Sequence, residues 1–563
     1  MASKVIKSRR PHLAVERSWL YRCLGKHKIC EQNLSSNEPP RRLVQLATNG
    51  YGGLRPRLVD TRKQRYGNWR WCCLSYCWGG DQPVKATNAT IQPFQDEIPV
   101  EKLPKTIYDA MAAAQEIGMA YIWIDCLCII QDDELDKAWE ISRMPWIYHS
   151  AVFTIAVSSA ASCTEGFLAG DQEDDASKRT RRFHLNVKCS STGAAGEFAI
   201  TEGRQFDSMS DPLYGRGWAF QEYVLSTRVI EFSSAWTAWH CAARFETDQG
   251  FHSEDAGYFS SLFAGFSRSP DRLEKIPRGL RWSAAVEHYT RRSLSCPQDK
   301  LPAISAIAQI LSRGGGDGDG DDKYHAGLWA SDLPWNLLWR RQTAVDDHNP
   351  FSTTRAGSDN PTTTTTTTTP TLLLHPRPHR YRAPSWSWAS VDGAVVTSSA
   401  AHEQAITDGW ERVASIAECV STPRNAFAPF GEVAAAYLCV RGRVREARWC
   451  LRYEEPLRFA GNDKNPVKHA LAVRDAVEDG RWWWPTSANA AGAAAVGDAK
   501  DGDDVACLDL ALRDGKESEG LVLRPQSERV NGYPTYRRVG FCRLRYRRGG
   551  FFQGSQEDWI CIV

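Results

Sequence analysis

No stretch of this 563-residue chain is apolar for anything near the roughly 20 residues a membrane-spanning helix needs. Its N-terminus, MASKVIKSRRPHL, is basic but has no apolar run, which excludes a secretory signal there. These absences predict a soluble, cytoplasmic protein without a membrane span. Charge of one sign is also scarce. The 69 Lys and Arg are matched by 67 Asp and Glu, leaving a formal net charge of +2. No global field therefore favours nucleic acid or an anionic bilayer, and neither is expected as a partner. Paired CxxC motifs, a GxxxxGK(S/T) phosphate loop, and ankyrin-type or WD40-type repeats are all missing, so the sequence names no recognition partner. With no secretory context, the 17 cysteines are expected to be mostly reduced thiols, in keeping with their odd number.

What is present is ample core material. Hydrophobic residues make up 42% and aromatics 11% of the chain, with 22 tryptophans. At this length a single core does not suffice, and two to four domains are expected.

The first segment, 1–68, carries Cys23, His27 and Cys30. That C-x3-H-x2-C spacing offers two thiolates and an imidazole to zinc, but no fourth ligand lies nearby. The segment is read as a short helix with small buried residues, and no metal is expected. From Trp71 to Ala161, strand and helix signals alternate. Cys72–Cys77 is an apolar strand stopped by Trp78-Gly79-Gly80. Pro104 opens a helix whose buried face is Ile107, Met111, Ala114 and Ile117, and Gly118 ends it. Tyr121–Ile124 is a strand with Asp125 at its end. Asp132, Asp133 and Glu134 start a second helix, and Ala151–Val157 is a third strand ending in Ser158-Ser159. A β-α-β-α-β series predicts a parallel sheet, with ligands collecting beyond the carboxyl ends of the strands. Cys77-Trp78, Asp125-Cys126 and Ser158-Ser159 fall at those ends.

Further on, a charged excursion (Asp171–Arg182) and two weak strands near Phe183–Val187 and Glu197–Ile200 precede a helix at Arg216–Ser226. On it Trp218, Gln221, Glu222 and Leu225 share one face. Strands follow at Arg228–Phe232 and Ala235–Cys241. Residues 246–345 read as mostly helical, with stripes at Trp282, Ala285, Val286 and Tyr289 and over Leu301–Leu311, interrupted by an acidic loop at Gly314–Asp322. The polythreonine linker, 346–380, reads as low-complexity disorder. The final stretch, 381–563, reads as β-rich, beginning with a Trp-alternating strand in Ala383–Gly393 and including a loop at Ala488–Asp504.

Three blocks, LSYCWGG, YIWIDCLCIIQDD with the later MPWIYHSAVFTIAVSSA, and RGWAFQE, agree in order and spacing with the fungal heterokaryon incompatibility (HET) domain, and the chain resembles that family over residues 69–245. WLYRCLGKHKIC and PSWSWASVDG are companions of the same domain. The third block departs from the usual RGWTLQE by Ala219-Phe220. The resemblance implies non-self recognition and a cell-death response. It also implies a distant relation to Toll/interleukin-1-receptor (TIR) domains, some of which cleave NAD. The expected fold is thus an α/β, flavodoxin-like or TIR-like parallel sheet core with an added helical segment and a β-rich C-terminal region.

Under that reading the pocket residues have definite jobs. Cleaving the nicotinamide–ribose bond builds oxocarbenium charge, which the Glu222 carboxylate would stabilise. Trp218 would stack on a flat base, Gln221 position a ribose hydroxyl, and Arg216 meet a phosphate or pair with Asp125. Trp78 would wall the pocket, and Asp125 bind a hydroxyl or cap its own loop. NAD or a nucleotide is then the substrate, and no cofactor is required. The bland alternative is a structural Arg216–Asp125 pair with Trp218 in the core. A Cys77–His149–Asp125 set and a phosphate approach at Gly79-Gly80 are further readings. At the level of the whole chain, the rival is a non-catalytic module that signals by self-association or through a protein partner.

Overall fold

Five consecutive residues, Trp71–Ser75, are buried at every position, as in a strand covered on both faces, and a nine-stranded sheet is built outward from them. The computed structural model describes residues 13–30, 38–48, 53–63, 69–168, 182–188, 195–201, 210–248, 250, 252–253, 277–313, 322–342, 377–397, 409–449, 457–459, 467–475, 503–546, 552 and 555–563. The charged segment 171–181, the acidic run 314–321, the linker 346–376 and the loop 488–502 lie outside these residues. The chain divides into two compact units, 1–275 and 276–563.

In the first unit, helix α1 (Ala14–Lys26) precedes a hairpin of β1 (Arg42–Thr48) and β2 (Leu54–Asp60). The alternating stretch then gives β3 (Trp71–Ser75), α2 (Ile91–Asp96), α3 (Lys105–Ile117), β4 (Tyr121–Trp123), α4 (Asp125–Cys128), α5 (Glu134–Ser150) and β5 (Thr154–Val157). A two-stranded excursion, β6 (Arg182–Lys188) and β7 (Ala195–Thr201), comes before α6 (Gly217–Leu225), β8 (Arg228–Phe232), β9 (Thr237–Cys241), β10 (Arg244–Thr247) and β11 (His252–Ser253).

The helix ends follow from their residues. Gly118 takes φ +108° at the close of α3, a left-handed conformation that suits glycine. The Asp133 carboxylate caps α5 by accepting from the amides of Leu135 at 3.0 Å and Asp136 at 3.1 Å.

The sheet order is β11-β10-β9-β8-β5-β3-β4-β1-β2. Its centre, β4-β3-β5-β8, is parallel. Its flanks are antiparallel, so the sheet is mixed rather than wholly parallel as expected. The reason is connection length. The turn from β8 to β9 closes with Ser233 N–H donating to Trp236 O at 3.0 Å, far too short for a parallel crossover. The chain runs from β3 to β4 on one side and returns to β5 on the other. The strand order therefore reverses between β3 and β5, which is where open α/β sheets bind ligands.

A buried charge cluster fixes the hairpin to this core. Arg42 of β1 donates to the Cys128 carbonyl at 2.6 Å, to Asp136, and to Glu140 at 3.5 Å. Burial pushes the Glu140 carboxyl up to about 7, against the pull of Arg42.

In the second unit, α7 (Arg278–Thr290) buries Trp282, Ala285, Val286 and Tyr289, and α8 (Pro302–Arg313) buries Ile304, Ile307 and Leu311. These are the stripes read from the sequence. A nine-stranded sheet, antiparallel but for one pairing, spans residues 410–562. Cys439 and Cys561 face each other in it and form a disulfide, an exception to the expectation of thiols. The expected strand in Ala383–Gly393 is instead a turn and a short helix, Trp388–Ser390, capped by the Ser387 hydroxyl. Alternating Trp and Ser suggests one wet face, but Trp386, Ser387 and Trp388 are all buried. The Ser387 hydroxyl donates to the Ala326 carbonyl, and Trp388 Nε1 donates to Gly327 O at 2.9 Å.

Replacing Arg42 by Met is expected to destabilise the chain by roughly 3–5 kcal/mol at pH 8, because Asp136 and Glu140 lose their counter-charge. The loss should shrink at pH 5, where the raised Glu140 carboxyl takes up a proton. Urea unfolding at the two pH values checks both the size and the sign.

Candidate functional site

At the carboxyl end of β3 the apolar run gives way to Ser75, Tyr76, Cys77 and Trp78. Ser75 Oγ donates to Glu222 Oε2 of α6 at 2.5 Å. Trp78 Nε1 donates to Asp125 Oδ2, at the first turn of α4, at 2.8 Å. The second Asp125 oxygen accepts from its neighbour's amide, Cys126 N, at 2.7 Å. Arg216, just before α6, donates to the Tyr76 carbonyl. Four sequence-predicted residues, Trp78, Asp125, Arg216 and Glu222, are therefore tied to one strand end.

Their electrostatics are coupled. Glu222 is 6% exposed, and burial pushes its carboxyl up to about 7. The Arg216 charge and the Ser75 bond pull it down, and the Asp125 charge pushes it up. Asp125 is likewise raised by desolvation, with Arg216 and the Trp78 bond opposing. One guanidinium thus serves two carboxyl groups.

The remaining predictions land less cleanly. Gln221 is buried, and its Oε1 has no hydrogen-bond partner among the described residues. Trp218 is half-buried on α6. The face shared by Trp218, Gln221, Glu222 and Leu225 is not a stripe, because Ala219, Phe220 and Val224 are buried too. Cys77 packs with Ala156, Leu213, Ala219 and Val229, and burial pushes its thiol up to about 11. A buried thiol raised in this way forms little thiolate, which counts against the Cys77–His149–Asp125 reading. At Gly79 φ is +71°, and a Cβ would sit 2.5 Å from the Ser162 side chain. Close chain approach therefore accounts for this glycine without a phosphate.

Sequence reasoning missed a second polar cluster, on β8 at the far side of β5. Glu231 of β8 is buried. It accepts from Tyr214 Oη at 2.7 Å and lies 2.9 Å from His240 Nε2. Desolvation would raise its carboxyl, but the bonds from His240 and Tyr214 outweigh it and hold the group below the usual range. Ser75 and Tyr148 were also passed over. The Tyr148 hydroxyl donates to the Leu74 carbonyl at 3.0 Å and helps to lower Glu222. Both read as ordinary core positions in a linear pattern.

The first segment also differs from expectation. The fourth partner that Cys23, His27 and Cys30 lacked in sequence is Cys241, at the end of β9.

The family model described as heterokaryon incompatibility protein (HET) matches residues 71–222, from the first residue of β3 to Glu222 itself. No curated protein and no solved structure matches the chain.

Because the folded Glu222 carboxyl is raised above its ordinary 4.5, its stabilising contribution is full below about pH 4.5 and lost as pH climbs through about 7. Glu222→Gln removes that loss. The stability of Glu222→Gln relative to the parent chain should rise between pH 5 and pH 8 by roughly 2–3 kcal/mol. Parallel denaturant titrations measure it, and a pH-independent difference would contradict the burial argument.

Proposed function

We propose that this chain, whose residues 71–222 match the heterokaryon incompatibility family model, acts in fungal self/non-self recognition by cleaving NAD or a related nucleotide. The observation that carries the reading is Glu222. It is a buried carboxyl with a pKa pushed up to about 7, set against Arg216 and Asp125 where the parallel strand order reverses. The strand order β4-β3-β5-β8 supports a flavodoxin-like or TIR-like kinship for the core.

The chemistry follows from the charges. Heterolysis of the nicotinamide–ribose bond sends its electron pair to the pyridinium nitrogen, so the leaving group departs neutral and needs no acid. The positive charge left on the ribose is what an ionised Glu222 stabilises, and the same carboxylate accepts a proton from the incoming water. Arg216 holds a phosphate, Trp78 and Trp218 flank the base, and Asp125 and Gln221 orient ribose hydroxyls. Cell death then follows from loss of NAD.

One observation favours a second reading. Glu222 is almost wholly buried and bonded to Ser75, as a structural tie between α6 and β3 would be. In that case the domain signals by self-association without catalysis.

The discriminating experiment follows nicotinamide release from NAD by the full chain, free and artificially clustered. The enzyme reading predicts turnover that rises as pH passes through about 7, where Glu222 ionises, and a fall of about 100-fold or more in Glu222→Gln. If parent and variant alike leave NAD intact in every condition, the domain is not a nucleosidase and the self-association reading stands.

A further inference from the structure

The C-x3-H-x2-C run folds so that its three side chains converge. Cys23 lies in the last turn of α1 and His27 is its C-terminal cap, one helical turn on, so the two share a face. A single tight turn, with Cys30 N–H donating to His27 O at 2.9 Å, brings Cys30 back to them. β9 delivers Cys241 to the same point, 214 residues after His27 in the chain. The ligand atoms of Cys23, His27, Cys30 and Cys241 all lie within 4.8 Å of one another. The three cysteines are buried and the histidine half-buried.

We propose that these four residues form a tetrahedral zinc site that staples α1 to the end of β9. Ideal tetrahedral geometry with Zn–S of about 2.3 Å and Zn–N of about 2.0 Å puts ligand atoms about 3.5–3.8 Å apart. His27 Nδ1 and Cys241 Sγ already stand 3.5 Å apart. Three sulfurs and one imidazole nitrogen, closed off from solvent on the cysteine side, are the donor set of structural rather than catalytic zinc.

An independent observation comes from Arg228. It is 1% exposed, and its Nε donates to Cys23 Sγ at 3.3 Å. Its other nitrogens are held by the Cys30 carbonyl and by Val152 O at 3.2 Å. A buried guanidinium that donates to a sulfur favours negative charge there. Three thiolates, one neutral imidazole and Zn2+ carry a net charge of −1, which Arg228 neutralises. Donors of this kind orient metal thiolates and tune them. The site accounts for what an isolated C-x3-H-x2-C does in an N-terminal segment: its fourth ligand lies beyond the catalytic candidate, on the strand that follows β8.

The test is the metal content of the full-length chain, purified without chelators and measured by inductively coupled plasma mass spectrometry. The expected result is about one zinc per chain, falling below a tenth in Cys241→Ser and Cys30→Ser but unchanged in Cys419→Ser. His27→Cys, which preserves four donors, should keep the metal. Should the serine variants fail to fold, the parent chain still decides. Exchange into cobalt should give thiolate-to-metal charge-transfer absorption, and a thiol-blocking reagent should release the zinc stoichiometrically. Parent chain that holds less than a tenth of an equivalent of zinc after exposure to excess metal, that carries iron instead, or that shows a disulfide among Cys23, Cys30 and Cys241 by peptide mapping, would overturn the proposal.

Discussion

Among the described residues of the first unit, a single guanidinium is set against two buried carboxyls at the carboxyl edge of the central strands. Arg216 is the guanidinium that acts on both Glu222 and Asp125, and burial raises both carboxyls. Water does little to shield charges in such a place, so the two carboxyls and the arginine constrain one another through space. The arrangement keeps one of the two acids poised near neutrality. It also demands that β3, α4 and α6 stay in register, since the Ser75–Glu222 and Trp78–Asp125 bonds are the local contacts that set the geometry.

The rest of the unit can be understood as what holds that edge in place. The parallel centre supplies strand ends that point the same way, and the strand order reverses between β3 and β5, the position at which open α/β sheets bind ligands. On the β4 side, the hairpin of β1 and β2 is fixed by the buried Arg42 cluster. On the β8 side, β9 and β10 extend the sheet through short turns, and β9 ends at the cysteine cluster. A second buried acid, Glu231, is satisfied by His240 and Tyr214 and held ionised. Buried acids with opposite shifts are a mark of divided roles, and here the one whose pKa is raised, Glu222, lies beside the strand reversal.

Much of this was legible in the chain. Apolar runs that stop abruptly at Cys77-Trp78, Asp125 and Ser158 marked strand ends, because buried parallel strands read as continuous hydrophobic segments and the sheet edge is where polarity returns. Gly118 and Asp133 marked helix boundaries by their own backbone chemistry. What stayed hidden was whatever depends on distant partners. Ser75 looks like part of a strand until Glu222 is opposite it, 147 residues on. Cys241 sits at the end of one strand among many until α1 is laid beside β9. The alternation in PSWSWAS misled because period two signals a half-exposed strand only when one face meets solvent, and there both are covered. The parallel sheet was over-extended for a similar reason, since β8 and β9 each look like a strand and only the four-residue turn between them dictates direction.

The account rests on the ionisation of Glu222, and infrared difference spectroscopy reads it directly. The protonated-carboxyl stretching band that is present in the parent chain and absent from Glu222→Gln should titrate with a midpoint near 7. A midpoint near the ordinary glutamate value of about 4.3 would mean that the carboxyl is solvated and unconstrained, and would contradict the buried, charge-poor edge from which everything else is argued.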